Sequence, residues 1–211
     1  MTGMKKEIIE WGICIVIAVV VGLFLKYFIG VPTLVKSTSM EPTLIEKQRL
    51  ILNRASVRIA RQMPKRGEII TFEAPTSGEV SLAQVDTNNP VAKYNYPFSG
   101  IFSKFVYHVL EIGKQSYIKR VIALPGEHVQ IKNGKVYINE KELDEPYLAN
   151  NVITRSDIYS DFIVPENCIF AMGDNRENSR DCRAFGCIPF EKIESVVWIR
   201  FWPFNLFGKV E

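Results

Sequence analysis

The sequence predicts a mainly β protein, in which an N-terminal membrane helix precedes an antiparallel β-sandwich or barrel-like domain. Two observations support this prediction: a long apolar stretch lies at the start of the 211-residue chain, and short runs rich in Val, Ile, Tyr and Phe follow it. Long amphipathic helices are scarce after the apolar stretch, and short runs bounded by turn residues are typical of strands. The predicted strands cover residues 33–35, 48–53, 68–72, 117–124, 128–131, 135–138, 168–172 and 195–201.

The first element is a predicted transmembrane anchor over residues 8–30. Residues 11–25 carry no charge, and about 20 apolar residues suffice to cross the hydrocarbon core of a bilayer. Glu10 and Lys26 lie near the two ends, where charged side chains can reach the interfaces. A cleaved secretory signal shares these features, but no small-x-small cleavage site follows the apolar run, which favours an uncleaved anchor.

The charges that flank the anchor predict its orientation. Lys5 and Lys6 precede the span, so the positive-inside rule places residues 1–7 in the cytoplasm. Residues 31–211 then form one extracytoplasmic domain of a single-pass protein of the cell (plasma) membrane. Two stretches of this domain, 73–116 and 139–165, are interpreted as insertions.

Turn signals divide the strand-rich part of the chain. Asn133-Gly134 separates two short apolar runs in VQIKNGKVYIN, which predicts a tight antiparallel hairpin. Pro125-Gly126 is a second turn signal. Residues 45–58 are too polar and irregular to assign.

Composition excludes several function classes. The net charge is +3, with 26 basic against 23 acidic residues, and no basic stripe with interleaved aromatics suggests nucleic-acid binding. The four cysteines form no CxxC pair and neither histidine lies near them, so we predict no metal site and no cofactor. A Cys182–Cys187 disulfide is left open, since an odd count of three cysteines outside the anchor argues against a required framework.

Three segments carry the residues of chemical interest. They are KSTSMEPTL (36–44), YIKRVIALPGE (117–127) and MGDNRENSRDCRAFG (172–186). Together with the anchor, the RGEIITF run and the RFWPF run, they resemble type I signal peptidases, the membrane-bound serine proteases that remove signal peptides from exported proteins. The resemblance implies that Ser39 is the nucleophile and Lys119 the general base, so that the chain is a serine endopeptidase working through an acyl-enzyme.

The residues support the same chemistry on physical grounds. A serine hydroxyl needs a neighbouring base, and neither His108 nor His128 lies in a motif with a companion Asp. A lysine can serve instead if it is neutral, which requires its pKa to fall by roughly 2–3 units. Lys119 stands among apolar residues of a predicted strand, where burial would lower its pKa. Arg120 should point to the opposite face of the strand and remain solvated.

The resemblance also implies supporting roles around this pair. The backbone N–H of Ser39 and the hydroxyl of Ser37 would form the oxyanion hole, Ser179 would hydrogen-bond the Lys119 ammonium, and Asp181 and Arg183 would form an ion pair nearby. Thr38 stands where family members often have glycine, which would impair activity if the turn needs a positive φ. Cys182 stands where the family more often has serine, a small change that leaves these roles intact.

Substrate recognition is likewise implied by the resemblance. The expected partners are preprotein signal peptides with small side chains at the first and third positions before the cut (Ala-x-Ala), bound as an added strand. The lipid bilayer is a second partner, and the secretion machinery is left open as a third. Apolar residues near the dyad are candidates for the substrate pockets, although each could equally be core: Val35, Met40, Leu44, Leu50, Tyr117 and Ile118.

Two alternatives compete with this interpretation. A LexA-like self-cleaving repressor would need an N-terminal DNA-binding domain, and the membrane span occupies that place. A catalytically inactive, membrane-tethered relative that acts as a binding module is the second alternative. It is suggested by Thr38 and by Glu46-Lys47, where the family often has Gly-Asp, but such a relative would be expected to lose Ser39 or Lys119.

Overall fold

The computed structural model describes residues 3–76, 89–95 and 100–210, without the side chains of Lys5 and Ile101. Its first element is helix α1 (Gly3–Phe28). Within α1, Lys6–Phe28 is long and apolar enough to cross a membrane, and none of its most apolar window is buried against the rest of the chain. The predicted N-terminal apolar helix is therefore confirmed.

Eleven strands and three short helices follow α1 in the described residues. The strands are β1 (Gly30–Leu34), β2 (Arg49–Asn53), β3 (Ile69–Glu73), β4 (Ser116–Ala123), β5 (His128–Lys132), β6 (Lys135–Ile138), β7 (Lys141–Glu142), β8 (Asp161–Ile163), β9 (Cys168–Met172), β10 (Ile188–Pro189) and β11 (Ile193–Trp202). The helices are α2 (Ala55–Arg58), α3 (Ile101–Phe105), which continues into a π-helical turn at Val106–Leu110, and α4 (Cys182–Phe185).

The strands form two antiparallel sheets. The larger has seven strands in the order β1-β2-β11-β3-β4-β9-β10, and the smaller has four in the order β7-β6-β5-β8. The predicted hairpin joins β5 and β6, where Lys132 pairs with Lys135 and both Asn133 and Gly134 have positive φ. The mainly β class predicted from the sequence is confirmed.

Two apolar clusters hold the sheets together. The main cluster joins β3, β4 and β9 of the larger sheet to the smaller sheet, through residues such as Phe72, Phe170 and Val129. A second cluster joins β2, β3 and β11 to the chain that follows β1, through residues such as Leu50, Val197 and Met40. Burial of each large apolar side chain contributes on the order of 1.5–3 kcal/mol, so this cluster also stabilises the segment that carries Met40.

The two stretches interpreted as insertions contain regular structure. Strands β7 and β8 fall within 139–165 and complete the smaller sheet, in which β8 pairs with β5. Within 73–116, α3 and its π-helical turn lie near the end of α1, where Lys26 donates to the Leu110 carbonyl over 3.3 Å. Residues 77–88 and 96–99 of that stretch lie outside the described residues, and the insertion boundaries stay a prediction.

Candidate active site

Ser39 lies in a single 3-10 turn, Thr38–Met40, that follows β1. Ser37 precedes the turn in an extended conformation and caps it, since its Oγ accepts a hydrogen bond from the Ser39 N–H over 3.2 Å. Thr38 does not adopt a positive φ. The turn therefore accommodates a β-branched residue at this position without strain.

Lys119 reaches the Ser39 hydroxyl from β4. Its Nζ lies 2.6 Å from Ser39 Oγ, and the two residues are 3% and 6% exposed. In the sheet Lys119 pairs with Ile70 of β3, so a rigid strand fixes its backbone. The Lys119 Nζ also lies 5.7 Å from the centre of the Tyr117 ring. The sequence placed these two residues 80 positions apart, and the fold brings their reactive atoms into hydrogen-bond distance.

Burial sets the protonation of Lys119. Desolvation lowers the pKa of the Lys119 amine to about 8, although the negative carboxylates of Asp181 and Asp174 oppose this shift. Burial penalises the charged form of a lysine because the ammonium loses its hydration. About a tenth of Lys119 is therefore neutral one pH unit below that value, and most of it one unit above, which is the form that a general base requires.

Ser179 differs from expectation. Its Oγ is buried and has no hydrogen-bond partner, so the hydrogen bond to Lys119 expected from the resemblance is not formed in this structure. The hydroxyl lies beside Gly173, where an added Cβ would stand 2.3 Å from Ser179 Oγ and 2.4 Å from the Ser39 carbonyl oxygen. Only glycine at position 173 lets the two segments approach this closely.

Asp181 and Arg183 form the expected ion pair. The Arg183 Nε donates to Asp181 Oδ1 over 2.8 Å, and both side chains are buried. Asp181 also caps α4 and accepts the Gly173 N–H over 3.0 Å. The pair therefore fixes the segment that packs against the Ser39 turn.

Asparagines of the third motif hold the Ser39 turn directly. The Asn175 N–H donates to the Ser39 carbonyl over 3.1 Å, and the Asn175 side chain donates to the Thr38 carbonyl over 3.2 Å. Asn178 donates to Thr38 Oγ1 over 2.8 Å. An asparagine on its own indicates no more than a turn, and hydrogen bonds between distant segments leave no local spacing signal, so the sequence does not predict these contacts.

The prediction that Arg120 is solvated was wrong. Arg120 does point away from Lys119, but it is 2% exposed and donates through Nε and Nη2 to the two Asp174 oxygens over 2.9 and 2.8 Å. The guanidinium also lies 4.0 Å from the centre of the Tyr147 ring. Both faces of β4 are buried at this position because Asp174, Thr43 and Tyr147, the last from the connection between β7 and β8, cover the second face.

A groove of about 480 Å³ leads away from the two reactive atoms. One wall is the chain from Val31 through Ser37 to Ser39, and the other is Ser116 to Lys119 at the start of β4. Four antiparallel pairings, β1–β2, β2–β11, β11–β3 and β3–β4, separate the two walls, so β1 and β4 run in the same direction. Both strands therefore run from the end of α1 toward the Ser39–Lys119 pair.

Half of the predicted pocket residues line this groove. Val35, Tyr117 and Ile118 do so. Met40, Leu44 and Leu50 do not; all three are 0% exposed and belong to the second apolar cluster. They support the Ser39 turn from below, because a 3-10 turn exposes one side only and the other side of this one packs on the sheet.

The sequence missed the groove residues nearest the end of α1. This end of the groove is lined by Leu52 of β2, by Arg54 directly after β2, and by Glu111 and Glu194. Arg54 Nη2 lies 2.6 Å from Glu111 Oε1, and Glu111 also pairs with Lys26 over 3.5 Å. The apolar run of β2 includes Leu52 but does not show that it faces a groove, and nothing local indicates an ion pair between residues so far apart.

The remaining titratable candidates lie elsewhere. His128 is held between Glu140 and Asp161 on the smaller sheet, and His108 lies in the π-helical turn after α3. Cys182 and Cys187 are free thiols, so the disulfide left open by the sequence is not formed. Within residues 3–76, 89–95 and 100–210, no group of three His, Cys, Asp or Glu side chains is arranged to bind a metal ion.

Comparison with known proteins gives consistent results. The family model described as "Signal peptidase, peptidase S26" matches residues 8–202. The chain is 30% identical to signal peptidase IB of Staphylococcus aureus over 97% of its own length and 94% of that protein. It is 31% identical to signal peptidase I of Bacillus amyloliquefaciens over 100% of its own length and 96% of that protein. A crystal structure of a signal peptidase I from Enterococcus faecalis aligns at 25% identity with a TM-score of 0.39, covering 64% of this chain and 97% of that one.

Proposed function

Since the chain belongs to the signal peptidase S26 family, we propose that it removes N-terminal signal peptides from preproteins, with Ser39 as nucleophile and Lys119 as general base. The observation that carries this proposal is the 2.6 Å separation of Ser39 Oγ and Lys119 Nζ, with both residues buried. The enzyme is a serine endopeptidase by its family. The proposal concerns its substrate, its two catalytic side chains and its position in the membrane.

The first half of the reaction forms an acyl-enzyme. Neutral Lys119 takes the proton from Ser39 Oγ as the oxygen attacks the scissile carbonyl carbon. The resulting oxyanion accepts hydrogen bonds from the Ser37 hydroxyl and from the Ser39 N–H, which exchanges its bond to Ser37 Oγ, 3.2 Å long before the reaction, for one to the oxyanion. The Lys119 ammonium then gives its proton to the departing amine nitrogen, and the C–N bond breaks.

The second half releases the signal peptide. Lys119, neutral again, takes a proton from water as the water oxygen attacks the ester carbonyl of the acyl-enzyme. Collapse of the second tetrahedral intermediate breaks the bond to Ser39 Oγ, and Lys119 returns the proton to that oxygen. Ser39 and neutral Lys119 are regenerated, and the signal peptide leaves with a new carboxyl terminus.

The groove accounts for how an extended substrate could bind. The N–H and C=O of Val35 pair with Gln48 and Lys47, so the backbone groups of Leu34 and Lys36 face the groove. On the opposite wall, β9 pairs with β4 only from Arg120 onward, which leaves an edge of β4 before that point. We infer that the substrate lies between these edges as an added strand.

The direction of the groove suits a substrate that emerges from a bilayer. Both walls begin beside the end of α1 and end at Ser39 and Lys119. We propose that α1 anchors the enzyme with its N-terminus in the cytoplasm and its catalytic domain outside, so that the signal peptide passes from the membrane along the groove to the dyad. The inactive tethered relative is not favoured, since Ser39 and Lys119 are both present and in contact.

A preprotein cleavage assay tests the substrate class. Full-length enzyme in detergent should cut a preprotein with an Ala-x-Ala site once, after the second alanine, with mass spectrometry of both products identifying the bond. Replacing the second alanine by leucine should lower kcat/KM roughly 10- to 100-fold, the cost of overfilling a small pocket by about 1–3 kcal/mol.

The residue between the two alanines provides the matched control. Its side chain points to the opposite side of an extended peptide, so leucine there should leave kcat/KM within a few-fold of the unmodified substrate. Equal losses at both positions would contradict pocket recognition, and an uncut preprotein would contradict the proposed substrate class.

The pH profile tests the lysine base. The pKa of Lys119 is about 8, and the reaction needs the neutral amine, so kcat/KM should rise about tenfold per pH unit below that value and level off above it. The measurement is kcat/KM for one preprotein from about pH 6 to pH 10, with unfolding monitored at each pH. A profile that is flat from about pH 6 to 9 would rule out Lys119 as the base.

A further inference from the structure

A second cavity, of about 650 Å³, lies beside the end of α1 and apart from the Ser39–Lys119 pair. Its walls come from the end of α1, from α2, from the α3 segment and from the start of β11. The residues that line it are Tyr27, Phe28, Val57, Arg58, Arg61, Glu73, Lys104, His108, Lys114, Phe190, Glu191, Lys192, Ile193 and Glu194. The proposed mechanism uses none of these side chains except that Glu194 also borders the groove.

The cavity is fixed to the last turn of the membrane helix. Arg58 donates from Nη1 to the Tyr27 carbonyl over 2.8 Å, and its guanidinium lies 4.1 Å from the centre of the Tyr27 ring. On the other side, Lys26 donates to the Leu110 carbonyl over 3.3 Å. If α1 spans the bilayer, these contacts hold the cavity at the level of the lipid headgroups, where the hydrocarbon core ends.

Cations exceed carboxylates in the lining. Lys114 pairs with Glu194 over 2.5 Å and Lys192 with Glu73 over 3.6 Å. Arg58 lies 3.9 Å from Glu111, which is outside the lining, so Arg61 and Lys104 remain against one carboxylate, Glu191. Burial and the neighbouring Arg54 lower the pKa of Arg58, as expected where positive charges gather. In the described part of the chain, neither Arg61 nor Lys104 has an ion-pair partner. The lining of the cavity therefore carries an excess of positive charge, which an anionic ligand could neutralise.

Exposed apolar side chains occur next to these cations in the sequence. Ile59 is 58% exposed and lies between Arg58 and Arg61, while Phe102 and Phe105, which flank Lys104, are 80% and 45% exposed. Such apolar residues next to basic ones are typical of surfaces that rest in the headgroup region of a membrane. A soluble anion would not contact these apolar side chains. An anionic lipid would contact both groups, the cations through its headgroup and the apolar side chains through its acyl chains.

We propose that this cavity binds the headgroup of an anionic phospholipid, with Arg61 and Lys104 contacting the phosphate and the exposed apolar residues resting among the acyl chains. The inference depends on one part of the proposed function, the anchoring of α1 in the bilayer, and not on the peptidase chemistry. The bound lipid would tie the catalytic domain to the membrane at a second point beside the anchor, which would keep the groove close to the bilayer surface.

The test compares lipid retention by full-length Ser39→Ala protein, so that no catalysis takes part. The protein is placed in nanodiscs containing equal amounts of phosphatidylglycerol and phosphatidylcholine, and native mass spectrometry counts the lipids that it retains. Arg61→Gln/Lys104→Gln should lower the ratio of retained phosphatidylglycerol to phosphatidylcholine by on the order of tenfold, since each basic residue contributes about 1 kcal/mol near an anionic surface. The control is Lys141→Gln/Arg155→Gln, which removes the same charge from exposed positions elsewhere.

Each outcome of this test decides the proposal. A fall in the ratio for the cavity variant alone supports it, whereas equal ratios in both variants overturn it in favour of general surface charge. Inorganic phosphate is titrated into the detergent-solubilised protein as a second arm, and saturable binding that depends on Arg61 and Lys104 would mean a soluble-anion site and overturn the lipid assignment. Cleavage by the cavity variant in detergent reports on the proposed function separately, and we expect it to equal that of the wild type.

Discussion

Replacing Lys119 by arginine should lower kcat/KM for preprotein cleavage by at least about 10³-fold, the scale of loss seen when a serine protease loses a member of its catalytic unit. Arginine keeps the positive charge and much of the length of lysine, but its guanidinium stays protonated at any pH that the fold survives. Ser39 Oγ, which lies 2.6 Å from the Lys119 amine in the wild type, would then face a group that can only donate a hydrogen bond. The measurement is single-turnover cleavage of one preprotein by the variant and the wild type.

Three further variants separate the chemistry of Lys119 from its packing. Lys119→Met keeps an apolar stem without any base, and Ser39→Ala removes the nucleophile; both should fall to the same floor as Lys119→Arg. Lys132→Arg, on the exposed edge of the β5–β6 hairpin, controls for the exchange itself and should match the wild type. Raising the pH should not rescue Lys119→Arg. Activity within about tenfold of the wild type would show that another group accepts the Ser39 proton.

The parts of the fold that the sequence predicted are those with a strong local signal. The apolar run of α1 exceeds the length of any ordinary strand, and Asn133-Gly134 permits the positive φ values that a tight hairpin needs. By contrast, β7, β8 and β10 are two or three residues long. Runs this short show no alternation of apolar and polar residues. Their pairing depends on strands that are neighbours in the fold but distant in the sequence.

In the candidate site, too, some residues could be predicted from the sequence and others could not. The motifs indicated Ser39 and Lys119, and the ion pair of Asp181 and Arg183, because residue types and their order carry that information. They could not tell pocket from core for Met40, since an apolar side chain next to the nucleophile suits either place. The prediction that Arg120 is solvated was wrong for a related reason. Alternation shows to which face of a strand a side chain points, but not whether a second layer covers that face.

The ion pair on the covered face of β4 predicts a large effect on stability. Asp174→Ala should lower the free energy of unfolding by about 3–5 kcal/mol, the usual cost of breaking a buried ion pair by removing one partner. Asp174 is 1% exposed, and Arg120, which donates to both of its carboxylate oxygens, is 2% exposed. Without the carboxylate, the guanidinium loses two charge-assisted hydrogen bonds, while its contacts with the Gly67 carbonyl, the Thr43 hydroxyl and the Tyr147 ring are neutral. Urea denaturation of the detergent-solubilised protein, monitored by fluorescence, gives the difference.

A matched pair of variants shows whether burial is the cause. Glu142→Ala removes one partner of the Lys135–Glu142 ion pair, whose side chains are 56% and 47% exposed, and it should leave the unfolding free energy nearly unchanged because water replaces the lost partner. The double variant Arg120→Met/Asp174→Leu removes both buried charges and should recover most of the stability lost by Asp174→Ala, because no unpaired charge remains. If the double variant is no more stable than Asp174→Ala, the loss comes from packing instead. Thr43 also donates to the Asp174 carboxylate over 2.6 Å, so this carboxylate connects the segment after Ser39 to the strand that carries Lys119. Removing the carboxylate should therefore loosen the contact between Ser39 and Lys119 on which the proposed catalysis depends.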